Sequence, residues 1–93
     1  MIIDGSQVVR SKPDPEGYLR AAAALGIKPE ICAVLEDSLQ GATAGRRSGA
    51  FVIGVVGTLS ADILRPECDI LVDSLARIDL NDICHILNTR DDG

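Results

Sequence analysis

Two adjacent carboxylates, Glu36 and Asp37, follow directly after the apolar run Cys32–Leu35. If that run is a buried parallel strand, its carboxyl end brings both side chains to the crevice where open α/β sheets bind ligands. Carboxylate oxygens are hard ligands of the kind that Mg²⁺ prefers. A simpler interpretation requires no metal, because Asp37 or Ser38 can cap the helix that follows. Taken alone, the pair favours the simpler interpretation.

Lys12 is a further group that suits such chemistry. It lies just before a predicted helix, and that helix leads into the strand that ends at Glu36. Consecutive α and β elements can bring the lysine and the two carboxylates to one end of a sheet. The combination suits phosphate chemistry, because carboxylates hold Mg²⁺ while an ammonium group neutralises phosphoryl charge. On its own, Lys12 would be interpreted as a surface lysine.

The elements that must position these residues follow from apolar periodicity and from turn signals. Asp14 and Pro15 favour the start of a helix, and Gly26 supplies a left-handed stop. The predicted helices are Glu16–Leu25, Leu39–Ser48, Ser60–Arg65 and Asn81–Leu87, and the predicted strands are Cys32–Leu35, Phe51–Val56 and Asp69–Val72. Met1–Ile3 is read as the stub of a strand, and the polar tail Asn88–Gly93 is expected to fray. The alternation predicts an α/β fold with a parallel sheet.

Length and composition limit what the chain can be. A chain of 93 residues allows one small domain, which we place at residues 1–93. Hydrophobic residues make up 46% of the sequence but aromatic residues only 2%, so the core is aliphatic, as in parallel sheets. A net charge of −5 argues against nucleic-acid binding, which requires clustered basic residues.

The expected location is the cytoplasm. No apolar run approaches the ~20 residues of a membrane-spanning helix, and the first residues lack the apolar core of a signal peptide. Cys32, Cys68 and Cys84 are widely separated and without metal-binding spacing, which is typical of unpaired thiols in a reducing compartment. We therefore expect neither a membrane nor a nucleic acid as a partner.

Two segments resemble motifs of the haloacid dehalogenase (HAD) superfamily of hydrolases, especially its phosphoglucomutase-like and phosphoglycolate-phosphatase-like branch. Lys12-Pro13-Asp14-Pro15 looks like the third motif, whose lysine stabilises the phosphate, and Glu36-Asp37-Ser38, with Gly41, Ala44 and Gly49 after it, looks like the fourth, whose acidic residues bind Mg²⁺. Their order and separation overturn the preference for simple capping. The resemblance implies a Mg²⁺-dependent phosphohydrolase or phosphomutase acting on a phosphorylated small molecule, with Lys12 catalytic and Glu36 and Asp37 as metal ligands.

The amino-terminal part departs from that family. There, a DxD motif on a central strand, beside the strand of the fourth motif, supplies the nucleophile and the general acid and base. Only eleven residues precede Lys12, and Asp4-Gly5-Ser6 has Ile2 where the nucleophile would stand. The sequence thus resembles the carboxyl-terminal half of a HAD core, a partial Rossmann-like parallel sheet without the nucleophile strand and cap domain. We expect this chain to be inactive or incomplete as an enzyme, with weak Mg²⁺ binding or none.

The absent nucleophile strand leads to two alternatives. Without that strand, Cys32–Leu35 would present an unpaired edge, which is a template for pairing with another chain. The chain would then be a non-catalytic α/β module that forms a homo-oligomer or docks on a partner through this edge, with Met1–Ile3 disordered or used elsewhere. The other alternative is a fragment of a longer protein.

Overall fold

The computed structural model describes residues 1–5, 13–57 and 60–92, so Lys12 lies outside the described residues. Its elements in chain order are β1 (Ile2–Asp4), α1 (Glu16–Leu25), β2 (Ala33–Glu36), α2 (Leu39–Ser48), β3 (Phe51–Val55), α3 (Ala61–Leu64), β4 (Ile70–Val72) and α4 (Leu80–Asp92), with short 3₁₀ helices at Pro29–Ile31, Arg65–Glu67 and Leu75–Arg77. In these ranges no helix has the length and apolarity needed to cross a membrane.

Four parallel strands form one sheet in the order β1-β2-β3-β4. The register places Glu36, the last residue of β2, opposite Gly54 of β3. Because all strands run the same way, their carboxyl ends lie at one end of the sheet. The predicted α/β fold with a parallel sheet is confirmed.

Helices cover both faces of the sheet, which explains why the central strands are almost continuously apolar. On one face, α1, α2 and α3 pack against the sheet, and the buried side chains there include Tyr18, Ala22, Val34, Ala42, Val52 and Leu64. On the other face, α4 packs against the sheet, and the buried side chains there are Ala33, Phe51, Ile53, Ile83 and Leu87. Successive residues of a strand point to opposite faces, so Val34 and Glu36 share the face of α1 and α2.

Local hydrogen bonds at the first turn and glycines at the last turn set the bounds of α1 and α2. Asp14 Oδ1 accepts the N–H of Glu16 at 2.9 Å, and Gly26 ends α1 with a φ of 69°. Ser38 Oγ accepts the N–H of Gly41 at 3.1 Å, and Gly49 ends α2 with a φ of 91°. The positive φ values require residues that tolerate the left-handed region, which favours glycine. Both predicted helices are confirmed with their bounds.

The prediction of an unpaired edge at Cys32–Leu35 is wrong. β1 pairs with β2 along this edge, with Ile3 opposite Val34, and the N–H of Ala33 donates to the carbonyl of Met1 at 2.8 Å. β1 therefore lies beside the strand that ends at Glu36, the position that the resemblance gives to the nucleophile strand. The pairing supplies hydrogen-bond partners to backbone groups of β2, and this gain explains why the short apolar segment β1 occupies the edge beside β2. Association of copies through this edge loses its structural basis.

The tail also differs from expectation, since α4 continues through Asp92 instead of fraying after Leu87. Arg90 explains the difference. Its Nη1 donates to the carbonyl oxygens of Glu30 and Gly49, each at 3.2 Å, and its guanidinium lies 5.3 Å from the centre of the Phe51 ring. These contacts fix the last turns of α4 to the loops and strand beneath it.

Candidate functional site

A pocket of about 220 Å³ lies at the carboxyl ends of the strands. Asp4 lines it from the end of β1, residues 35–38 from the end of β2 and Val55 from the end of β3, and Leu75 completes the lining. This is the part of an open parallel sheet where ligands bind. Three carboxylates, those of Asp4, Glu36 and Asp37, therefore line one pocket.

Glu36 is the buried member of the three, with only 4% of its surface exposed. The hydroxyl of Tyr18 donates a hydrogen bond to its Oε1. Gly5 and Gly41 lie against the same carboxylate, and a Cβ atom added to either would overlap it. Burying a carboxylate is costly unless hydrogen bonds compensate for the lost water. Glu36 thus joins the end of β1, the helix α1 and the first turn of α2 through one side chain.

Tyr18 is held in its protonated form by this environment. Burial is the largest cause that raises its pKa above the ordinary value, followed by the hydrogen bond to Glu36 and the negative charges of Glu36 and Asp4. A protonated phenol remains a donor over the whole physiological range of pH.

The sequence left open whether Asp37 or Ser38 caps α2, and the structure separates the two residues. Ser38 is the N-cap of α2, and its Oγ accepts the N–H of Gly41. Asp37 is exposed and lines the pocket. Capping by Ser38 is confirmed, and it does not account for Asp37.

The donor set fits Mg²⁺ in chemical kind, since Glu36 and Asp37 both offer hard oxygens. Within the part of the chain that the structure describes, no group of three or more His, Cys, Asp or Glu side chains is placed to hold a metal ion. Mg²⁺ often takes only one or two carboxylates and completes its shell with water and with phosphate oxygens of a bound ligand. Glu36 and Asp37 are the residues whose oxygens could supply the protein's part of such a shell.

The structure brings together two of the three residues predicted for the site. Glu36 and Asp37 line the same pocket, whereas Lys12 lies outside the described residues. Sequence reasoning missed Asp4 and Tyr18. Asp4 follows directly after the predicted strand stub Met1–Ile3, and the pair Asp4-Gly5 has the composition of an ordinary turn. Tyr18 is a single tyrosine within the predicted helix Glu16–Leu25, which gives no signal of a polar role.

Comparison with known proteins identifies the family. A model of the haloacid dehalogenase-like hydrolases matches residues 1–49, a segment that includes Lys12, Glu36 and Asp37. The chain belongs to the haloacid dehalogenase-like hydrolases. The resemblance seen in the third and fourth motifs is confirmed.

Curated relatives of this HAD-like chain include phosphatases and a phosphomutase. Validoxylamine A 7'-phosphate phosphatase of Streptomyces hygroscopicus subsp. limoneus is 38% identical over 78 residues, which cover 84% of this chain and 36% of that protein. Beta-phosphoglucomutase of Bacillus subtilis is 36% identical over 78 residues, which cover 80% of this chain and 34% of that protein. The HAD-like chain thus spans about a third of the length of these relatives.

Solved structures agree with the fold. Beta-phosphoglucomutase from Clostridium difficile superposes with a TM-score of 0.73 at 26% identity, covering 90% of this chain and 36% of that one. CbbY from Rhodobacter sphaeroides, solved in complex with phosphate, gives a TM-score of 0.65 at 33% identity, covering 76% of this chain and 32% of that one. The four-stranded parallel sheet with flanking helices is therefore part of a HAD fold.

Proposed function

We propose that this chain supplies the lysine and carboxylate part of a phosphatase or phosphomutase site that takes a phosphorylated small molecule. The observation that carries the proposal is the pocket at the carboxyl end of the sheet, which Asp4, Glu36 and Asp37 all line. Support also comes from relatives named as phosphatases and as a phosphoglucomutase. We treat residues 1–93 as one partial core domain.

Each proposed residue has a separate part. Lys12 places an ammonium group near the phosphate of the ligand and neutralises its charge. Glu36 and Asp37 hold Mg²⁺, which, when bound, offsets the negative charge of the phosphoryl group. We expect weak binding of the metal, because two carboxylates leave most of its oxygen ligands to be supplied by water and by the ligand.

In this proposal the chain binds the phosphate group of a ligand but does not hydrolyse it. Its sequence contains no Asp-x-Asp motif, and Ile2 stands where the resemblance places the nucleophile. Without an attacking carboxylate, the remaining groups bind and polarise the phosphoryl group without forming a covalent intermediate. Asp4 is the carboxylate that could contradict this view, since it lines the pocket from the end of β1.

The test measures binding and turnover separately. We expect calorimetry with inorganic phosphate in the presence of Mg²⁺ to give binding that Lys12→Ala and Asp37→Asn abolish. Lys28→Ala and Asp73→Asn are matched controls that remove equal charges at exposed positions outside the pocket lining, and they should leave binding unchanged.

An aryl phosphate supplies the second measurement, and we expect no hydrolysis. Hydrolysis that Asp4→Asn abolishes would make Asp4 the nucleophile and contradict the proposal of an incomplete site. Absence of phosphate binding in the unaltered chain would refute the proposed function as a whole.

A further inference from the structure

We propose that Tyr18 is a positioning residue for Glu36, whose carboxylate it holds in one orientation at the edge of the pocket. The importance of that orientation for a bound cation rests on the proposed function. The contact between the two side chains does not, since it is a feature of the folded chain itself. Nothing in the third or fourth motif assigns a role to Tyr18.

The placement of Tyr18 is unusual for a core residue. Its side chain is 1% exposed and packs in the apolar cluster of α1 and α2, with Ile3, Ala22 and Val34 among its members. Its hydroxyl ends at the carboxylate of Glu36, which is itself 4% exposed. The apolar part of the ring needs only a cavity of the right shape, whereas the hydroxyl needs a polar partner. The fold therefore places a donor inside an apolar layer, and the carboxylate of Glu36 accepts from it.

Two glycines close the other sides of the same carboxylate. A Cβ atom on Gly5 would lie 2.6 Å from the carbonyl oxygen of Leu35 and closer still to Oε1 of Glu36. A Cβ atom on Gly41 would lie 2.5 Å from Oε1 and closer still to Oε2. The backbone at these positions therefore forms walls that restrict rotation of the carboxylate. The backbone at Gly5 and Gly41 limits where the Glu36 carboxylate can lie. The hydrogen bond from the Tyr18 hydroxyl fixes Oε1 as the oxygen that faces α1.

A carboxylate that accepts one hydrogen bond keeps acceptor capacity for a second partner. An ionised carboxylate offers about four lone-pair sites on two oxygens. The Tyr18 hydroxyl occupies one of these sites on Oε1, and Glu36 lines the pocket together with Asp37. Residues that hold a metal ligand in this way typically change metal affinity by about 10–100-fold when removed. A residue that only fills the core has no such effect.

The decisive variant is Tyr18→Phe, which removes one oxygen atom and leaves the buried ring. Ser48→Ala is the matched control, because it also deletes a buried hydroxyl, one that donates to the carbonyl of Gly45 at 2.6 Å in the last turn of α2. Crystal structures of the full chain should show the Glu36 carboxylate displaced in Tyr18→Phe and unmoved in Ser48→Ala. A carboxylate that keeps its orientation in Tyr18→Phe would overturn the proposal.

Tyrosine emission provides a check in solution. Tyr18 is the single tyrosine and the chain has no tryptophan, so the signal belongs to this residue alone. A carboxylate bonded to a phenol quenches its emission, and Glu36→Gln should therefore increase the emission while Asp73→Asn leaves it unchanged. Equal emission in the unaltered chain and in Glu36→Gln would contradict the contact.

Mg²⁺ titration by calorimetry then tests the consequence. We expect Tyr18→Phe to weaken Mg²⁺ binding by about 10–100-fold and Ser48→Ala to leave it within the error of the measurement. Equal affinity in Tyr18→Phe and in the unaltered chain would overturn the positioning role. If the unaltered chain takes up no Mg²⁺, the metal part of the proposed function fails, and the crystal structures and the emission still decide the role of Tyr18.

Discussion

We expect Gly41→Ala to lower the free energy of unfolding, although helix propensity alone would predict an increase. Gly41 lies in the first turn of α2, and only Gly26 and Gly49 have a positive φ among the glycines of the described residues. At such a position alanine normally stabilises a helix by about 1 kcal/mol relative to glycine. Here the added Cβ would lie 2.5 Å from Oε1 of Glu36 and closer still to Oε2. The carboxylate must move, so we expect the substitution to destabilise the fold.

The magnitude follows from the contacts that change. Overpacking a buried site costs about 1–3 kcal/mol, and weakening a hydrogen bond to a charged group costs about 1.5–3 kcal/mol. After subtraction of the helix gain of about 1 kcal/mol, the free energy of unfolding falls by about 1.5–5 kcal/mol. In a domain of this size each 1 kcal/mol shifts Tm by about 4–8 °C, so we expect Tm to fall by at least about 6 °C.

Urea unfolding of four proteins gives a double-mutant cycle: the unaltered chain, Gly41→Ala, Glu36→Ala and the double variant. Once the carboxylate is gone, Gly41→Ala should be neutral or stabilising, because only helix propensity still acts. Ala23→Gly, at an exposed position of α1, calibrates that propensity and should cost about 1 kcal/mol. The reasoning is refuted if Gly41→Ala stabilises the unaltered chain, or if it destabilises both backgrounds equally.

Three further predictions concern a cap, an anchor and pH. Ser38→Ala should lower the free energy of unfolding by about 1 kcal/mol in urea titrations, whereas Ser74→Ala, which removes no cap hydrogen bond, should change it little. Arg90→Lys should speed amide hydrogen exchange in the last turns of α4, because lysine lacks the forked donors that reach two carbonyl groups; unchanged exchange would contradict the anchoring role. Folding raises the pKa of Tyr18, so above pH ~10 the unfolded chain loses a proton that the folded chain keeps, and stability falls as pH rises. Tyr18→Phe should make this decline shallower. Both proteins should carry Cys68→Ser, because burial also raises the pKa of Cys68 to about 11. An unchanged slope of stability against pH would contradict the raised pKa of Tyr18.

Local signals predicted the helices well, and pairing between distant segments was out of their reach. Glu16–Leu25 and Leu39–Ser48 are confirmed to the residue because their caps and stops lie within a few positions of their ends. The position of β1 depends instead on the match between the backbone groups of Ile2–Asp4 and those of Ala33–Glu36, some thirty positions later. Arg90 extends α4 through contacts with residues that are even farther away in the sequence, at separations of 60 and 41 positions. Neither contact leaves a periodic trace in the sequence.

The candidate site divides in the same way. Glu36 and Asp37 were predicted because a strand followed at once by a capped helix places them at the end of the sheet. Asp4 and Tyr18 were missed because they lie on other elements: Asp4 lines the pocket from the end of β1, and Tyr18 contacts Glu36 from α1. The order and separation of two motifs indicated the family, but they carried no information about the hydrogen bond from Tyr18 to Glu36.

The burial of Glu36 depends on the position of β1. Gly5 follows β1 directly, and it comes against the Glu36 carboxylate only because β1 pairs with β2. In the sequence, Asp4-Gly5 looks like an ordinary turn signal. In the fold, Asp4 adds a carboxylate to the pocket, and the missing side chain of Gly5 makes room for the carboxylate of Glu36. Any larger residue at position 5 would therefore act on two features at once: it would push β1 away from the end of β2, and it would open the enclosure in which Tyr18 holds Glu36.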